Sequence, residues 1–343
     1  MLQFIGHRTV LLLPVVMILL SGTIPPSQTA GRFTHTVTAG ESVSLICIDY
    51  YGYYSEALGK IVLADNPSIK NIDLIRVGQQ LSMRKPVDTT VQDTVTAVAK
   101  TDTPAASVAP IVRKMSVSQG VVTCVEGTVH WRRAESAHRQ PLKINTVVTP
   151  GNVIETGADG RVEIVINREA VVRLHENTKT TLEAFRDAAA GKGKTRLKCP
   201  VGGWWTRVKK FKDRISRFEL ELPTAVAGVH GTIYETSVTG DGASEVRVFT
   251  GEVAVRSAGG GAPPSPAGAG ATGVPVEVGG PQEVPPPHEV SMEQWTEIVR
   301  SMQKISIDKK GIPSKPELFE KAENDWERWN EKRDLRIARL FGE

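Results

Sequence analysis

Cysteine is scarce in this chain, with Cys47, Cys124 and Cys199 the only ones in 343 residues. Three thiols exclude a disulfide framework and lack the spacing of a structural metal site. An oxidising compartment would allow one bridge, with Cys124 and Cys199 the only pair inside one domain; three small buried residues is the other reading. The 7 histidines are dispersed, at positions 7, 35, 130, 138, 175, 230 and 288, with no His-x-His or His-Glu-x-x-His spacing for zinc. No Gly-x-Ser-x-Gly elbow is present to carry a hydrolase nucleophile. Cys47 falls on an apolar helical face, and nothing ties Cys124 or Cys199 to a histidine. His175 and Glu176 make the best isolated acid–base pair, which reads as surface polarity. Neither an enzymatic activity nor a metal or cofactor is therefore expected. Charge of one sign is also lacking: a net charge of +4 argues for no particular partner.

Long apolar runs are absent after residue 20. The one before it, residues 10–20, follows His7 and Arg8 and precedes Ser21, Gly22 and Thr23. A basic start, a short apolar core and small residues describe a secretory signal peptide over 1–30. The run is shorter than the ~20 residues a spanning helix needs, so cleavage is expected, with an uncleaved anchor as the alternative. The mature protein is expected in the periplasm or elsewhere in the cell envelope.

Glycine and proline, 31 and 21 residues, cluster instead of spreading. Residues 85–118, rich in Thr, Ala, Val, Asp and Pro, and residues 258–288, rich in Gly, Pro and Ala, read as linkers. They separate a unit at 34–84, a β domain at 119–257 and a C-terminal segment at 289–343.

The β domain shows clear period-two alternation. Val162, Ile164 and Ile166, then Val172 and Leu174, then a run from Thr181 are divided by Asn167, Asn177 and other turn residues. Further strands are expected at 121–131, 147–154, 204–212, 218–222, 223–238 and 246–255. Gly127 and Gly251 sit inside matching outer strands, as glycines at bends or bulges do, and predict a rolled sheet. Residues 202–212 mix basic and aromatic side chains, but their alternation reads as a strand with one charged face. A nucleic-acid partner does not suit an exported chain; an anionic envelope polymer is the remaining functional option for that face.

Residues 34–84 read as strand, helix, helix, strand: Thr34 to Thr38, a helix from Val43 ended by Gly52, a second capped by Ser55, and a strand at Gln79 to Met83. Val37, Gly40, Ser42, Tyr50-Tyr51-Gly52, Asn66-Pro67, Asp73-Leu74-Ile75, Gly78-Gln79 and Leu81 together resemble a LysM domain. The resemblance implies binding of N-acetylglucosamine glycans, chiefly peptidoglycan or chitin-like oligomers, between two loops. Carried onto this chain, the contact residues are Gly40, Glu41, Ser42 and Val43 on the first loop. On the second they are Asn66, Pro67, Ile69, Asp73, Leu74 and Ile75. Ser44 stands where the family often has an aromatic or basic residue, and Cys47 where a small one packs.

The β domain resembles the FecR domain through its paired Gly-x-Val strands, Pro150 to Gly157, Arg173-Leu174, Asn177-Thr178 and residues 223–238 around His230. That implies an all-β roll or sandwich without catalytic residues. Residues 187–197 read as an insertion. The cytoplasmic and membrane-spanning parts of FecR-type signalling proteins are not in this sequence.

In the last segment, Ser291 with Gln294, and Ser314 with Glu317, form capping boxes. They lead into Trp295, Ile298, Val299, Met302 and Ile305, and into Phe319, Ala322, Trp326 and Trp329, at helical spacing. Beyond Asn330 this seam weakens into Arg333 and Arg336. A helical hairpin over 289–343 is expected, docking on its own chain or binding a partner protein. The fold class is thus multidomain and mainly β: a small βααβ unit, an all-β roll or sandwich and a helical hairpin. The functional expectation is an exported, non-enzymatic envelope protein that binds peptidoglycan and presents a FecR-like scaffold to an envelope partner. The alternative is a periplasmic sensor acting on a membrane partner.

Overall fold

The computed structural model describes residues 31–86, 111, 113, 118–187, 193–210, 217–229, 231–258 and 295–342. The expected signal peptide, nearly all of both linkers, His230 and the capping box at Ser291 and Gln294 lie outside the described residues.

The chain opens with β1 (Arg32–Thr36), α1 (Val43–Tyr51), α2 (Glu56–Asp65) and β2 (Gln80–Arg84), with β1 antiparallel to β2. Ser42, in extended backbone, caps α1 by accepting from Leu45 N, and Gly52 ends it at φ 84°. Few residues tolerate that left-handed conformation as glycine does. Ser55 caps α2 through Leu58 N at 3.2 Å. Nearly all of α1 is buried, Val43, Leu45, Ile46, Cys47 and Ile48 included, which one packing partner alone would not achieve.

The second partner is a β body. It begins with β3 (Gly120–Glu126), β4 (Val129–Arg133), β5 (Gln140–Pro141), β6 (Val147–Val148), β7 (Asn152–Thr156), β8 (Arg161–Ile166), β9 (Ala170–Leu174) and β10 (Lys179–Ala184). It continues through β11 (Lys194–Val208), β12 (Arg217–Glu221), β13 (Ala225–Val229), β14 (Ile233–Val238), β15 (Ser244–Thr250) and β16 (Glu252–Ser257). Then come β17 (Thr296–Arg300), β18 (Gln303–Ile307), β19 (Glu317–Leu318) and the terminal α3 (Asp325–Phe341).

β3 to β19 form one 17-stranded sheet folded into two layers. One layer runs β6-β3-β8-β9-β11-β14-β15-β18-β19. The other runs β5-β4-β7-β10-β11-β12-β13-β16-β17, antiparallel except for β11 beside β12. β11 belongs to both. The alternation read from the sequence packs the interior: Val122, Ile164, Val172, Leu174, Trp204, Leu220, Tyr234, Val246 and Val255 all belong to one buried core.

The segment expected as one strand over 121–131 is two, because Gly127 turns the chain from one layer to the other at φ 60°. Gly251, at φ 91°, makes the same corner between β15 and β16. A Cβ on Gly127 would stand 2.0 Å from the Asp159 carbonyl oxygen, so only glycine fits there.

The helical hairpin is overturned. Trp295 to Ile305 carries apolar residues at helical spacing, but Val299, Ile305 and Ile307 also satisfy strand alternation, and the open edges of β16 and β15 supply ladder partners. β-branched residues fit that half-buried pleat, and the tertiary pairing decides. The corner at Met302, φ 61°, sits on the corner at Gly251, where Gly251 N donates to Ser301 Oγ at 2.9 Å. The later helix starts at Asn324, not Ser314. Pro316 biases Lys315 away from helical backbone. Asn324 Oδ1 accepts from Glu327 N at 2.7 Å, while Glu327 Oε1 accepts from Ala322 N at 3.1 Å. One C-terminal helix results.

Candidate functional site

The outward face of the first layer is not solvated. Strand alternation turns Glu163 and Val165, Val171 and Arg173, and Trp205 and Arg207 outward from β8, β9 and β11, and all six are buried. α3 lies across them. Trp326 and Trp329, stacked with centroids 5.3 Å apart, pack with Trp205 and Phe249. Their indoles donate to Glu235 at 3.0 Å and Glu126 at 2.8 Å, so each buried N–H has a partner.

Beyond the tryptophans the seam becomes polar where the sequence pattern weakened. Glu163, with no exposed surface, accepts from Arg173 Nε at 2.9 Å, Arg333 Nε at 3.1 Å and Thr123 Oγ1 at 2.7 Å. Arg173 Nη1 donates to both Asn330 O and Asn330 Oδ1 at 3.1 Å, and its Nη2 lies 2.7 Å from Asp334 Oδ1. Burial by itself would raise the Glu163 pKa, but the Arg333 and Arg173 guanidiniums outweigh it and hold the carboxyl at about 2. Burial pushes Asp334 the other way, above its ordinary value, against the pull of Arg173. Arg207, read from the sequence as part of a charged face, lies over the Phe341 ring at 4.5 Å. A polymer cannot reach it there.

The N-terminal unit docks on the same face. Val121, Val165 and Val171 share one apolar cluster with Val43, Leu45 and Ile46 of α1 and Ile337 and Leu340 of α3. Polar ties across the junction help fix it. Arg333 Nη1 donates to Gly40 O at 2.5 Å, Ser44 Oγ to Val122 O at 3.2 Å, and Gln119 Nε2 to Tyr54 O at 2.8 Å.

The residues singled out on the two loops separate into kinds. Ser42 caps a helix, and Val43 and Ile69 are core. Asn66 is consumed internally, accepting from Ser82 N at 2.7 Å and donating to Val62 O at 2.8 Å. Glu41 accepts from Thr38 N at 2.6 Å. Gly40 gives its carbonyl to Arg333, Asp73 meets Asn145, and Ile75 packs partly against the unit's core. Pro67 and Leu74 are exposed. Sequence reasoning missed Asn145, which reaches between the loops from the β body. Its signal was a lone Asn ahead of a strand, and it adopts φ 66°.

All three cysteines are free: Cys199 lies in the interior core and Cys124 with the tryptophans on the outer face. Burial holds both thiols well above their usual range. His175 is half-buried beside Glu176: it stands edge-on to Trp326 at 4.6 Å, and burial lowers its pKa despite Glu176. Three Ser-x-x-Lys spacings occur, at Ser301, Ser306 and Ser82. Ser301 Oγ is taken by Gly251, and Lys304 pairs with Glu245 and Glu317, so the first does not form a nucleophile–base pair. Among the described residues no group of His, Cys, Asp and Glu is placed to hold a metal ion, and no helix is long and apolar enough to cross a membrane.

Within this two-layer β body, whose outer face is covered by the N-terminal unit and α3, the FecR protein family matches residues 152–254, from β7 into β16. No curated protein matches the chain. Two crystal structures of a protein from Parabacteroides distasonis, provisionally described as an anti-sigma factor, align at 13% identity with a TM-score of 0.32. The alignment covers 48% of this chain and 59% of theirs, and a likeness of that size carries no argument here.

Proposed function

We propose that this protein is an exported, non-enzymatic envelope sensor whose FecR-type β body acts on a membrane partner. In this reading the N-terminal unit, LysM-like in sequence, is the input and binds an N-acetylglucosamine glycan such as peptidoglycan. The observation that carries the reading is the continuous path Gly40–Arg333–Glu163–Arg173. It links a loop of the N-terminal unit to α3 and to the middle of the FecR domain through fully desolvated charges. Such a path has strong geometric requirements, so lifting the unit disturbs the helix and the sheet together.

A second reading is a passive wall-tethered scaffold. It is favoured by Leu74, 71% exposed, and Pro67, which leave one rim of the loops free while the unit is docked.

Photo-crosslinkers at Leu318 and Leu335, 77% and 78% exposed, test the two in intact envelopes. A defined membrane-protein adduct is the sensor outcome. Co-sedimentation with protein-free peptidoglycan and no protein adduct from either position would overturn the sensor in favour of the scaffold.

A further inference from the structure

Asn145 is held in a way its own turn does not require. Its backbone is left-handed, at φ 66°, and its side chain is buried between the two loops of the N-terminal unit. The carboxamide Oδ1 accepts from Ser44 N at 2.8 Å. Nδ2 donates to Asp73 Oδ1 at 2.9 Å and to Ile72 O at 3.3 Å. Ser44 is in the first turn of α1, where unpaired N–H groups and the helix dipole favour an oxygen acceptor. The pocket therefore offers one N–H on one side, with a carbonyl and a carboxylate on the other, all spent on one planar amide.

We infer that this groove is an acetamido-binding site occupied by the chain's own Asn145, so that ligand entry and docking of the N-terminal unit on the β body exclude each other. An N-acetyl group presents the carbonyl acceptor and one of the two N–H donors of the carboxamide in one plane, enough for Ser44 N and either Asp73 or Ile72 O. A hydroxyl has a different shape, and an amine has no acceptor when protonated. Size enforces the exclusion. Ser44 and Val43 are buried against Val121 and Val165, so a sugar ring reaches Ser44 N only once the unit has lifted. Lifting also withdraws Gly40 from Arg333. The apparent affinity of the ligand is then its intrinsic affinity reduced by the fraction of molecules already open. The inference rests on the sensor reading above and supplies its switch.

The test uses the full chain with Asn145→Gly, which keeps the left-handed backbone and removes the carboxamide. The probes are the N-acetylglucosamine tetramer and its fully deacetylated counterpart, titrated by calorimetry. Losing the self-contact should tighten binding of the acetylated probe about tenfold or more over wild type, given the contribution of the hydrogen bonds removed. The deacetylated probe should bind neither protein. Amide exchange at Ser44 should quicken in the variant and slow again on adding the acetylated probe. Should the glycine variant fold poorly, Asn145→Asp sets a carboxylate against Asp73 and should loosen the unit with the same gain in affinity. Equal affinities in variant and wild type overturn the inference, as does indifference to acetylation. Faster Ser44 exchange that no probe reverses also overturns it, marking the groove as a docking socket alone. None of these results touches the crosslinks from α3, so the inference can fail while the sensor reading stands.

Discussion

Glu163→Gln is the sharpest perturbation available, because it keeps the shape of the side chain and removes one charge from the buried seam. Glu163 is the shared acceptor for Arg173 and Arg333, with no exposed surface of its own. Removing one member of a buried ion pair leaves uncompensated charge behind and costs about 3–5 kcal/mol. A second route gives a similar size. The carboxyl is lowered from 4.5 to about 2, and at about 1.4 kcal/mol per pKa unit that shift contributes roughly 3 kcal/mol. Because the folded pKa is the depressed one, the contribution is complete above pH 4.5 and is lost as pH falls toward 2. Asp334 is shifted upward and slopes the opposite way, so the variant must be compared with wild type across the whole acid range. Urea unfolding followed by tryptophan fluorescence is suited to this, since Trp326 and Trp329 lie on the same seam. The expected result is a loss of about 3 kcal/mol at pH 7 that shrinks toward zero at low pH. A loss below about 1 kcal/mol at pH 7, within the range of an exposed pair, would refute the reasoning. So would an acid limb unchanged by the substitution. Replacing Glu163 and Arg333 together by Leu and Met should be milder than Glu163→Gln alone, since Arg173 keeps Asp334 as its counter-charge.

Gly127→Ala should destabilise the β body by roughly 3 kcal/mol or more, from left-handed strain and a clash with Asp159; thermal unfolding reads it, and a change under about 1 kcal/mol would show that the corner relaxes. Cys47 and Cys199, fully buried with thiol pKa values pushed far up, should resist a thiol reagent at pH 8 until denaturant is added; prompt labelling of the native protein would contradict their placement. Trp329→Ala should cost about 3–5 kcal/mol by emptying a buried aromatic site and should raise binding of a hydrophobic dye; an unchanged dye signal would mean that α3 stays seated without it.

The β body is legible because its strands obey period two and its corners need glycine: Gly127 and Gly251 read as bends from the sequence itself. β17 and β18 were not, since Trp295, Ile298, Val299, Met302 and Ile305 fit a helix locally and only the open edges of β15 and β16 make them strands. α3 was half legible. Its tryptophans mark it, while the stripe fades at Arg333 and Arg336. At Arg333 the seam, which reads from the sequence only as weakening, turns ionic, and no sequence period encodes that, because the counter-charge Glu163 lies 170 positions away. Asn145 was invisible for the same reason. Its partners Ser44, Ile72 and Asp73 are brought to it by docking alone.

The contact between Arg333 and Gly40 joins residues 293 positions apart. During synthesis, then, the seat for the first unit is not finished until α3 has emerged. Until then the unit can complete its own strand pair and helices, but its two loops stay uncovered. Pairings of such long sequence separation form late and slowly. The closed arrangement therefore acts as a record of how far synthesis has gone: a chain cut short of α3 would have folded parts and an undocked N-terminal unit.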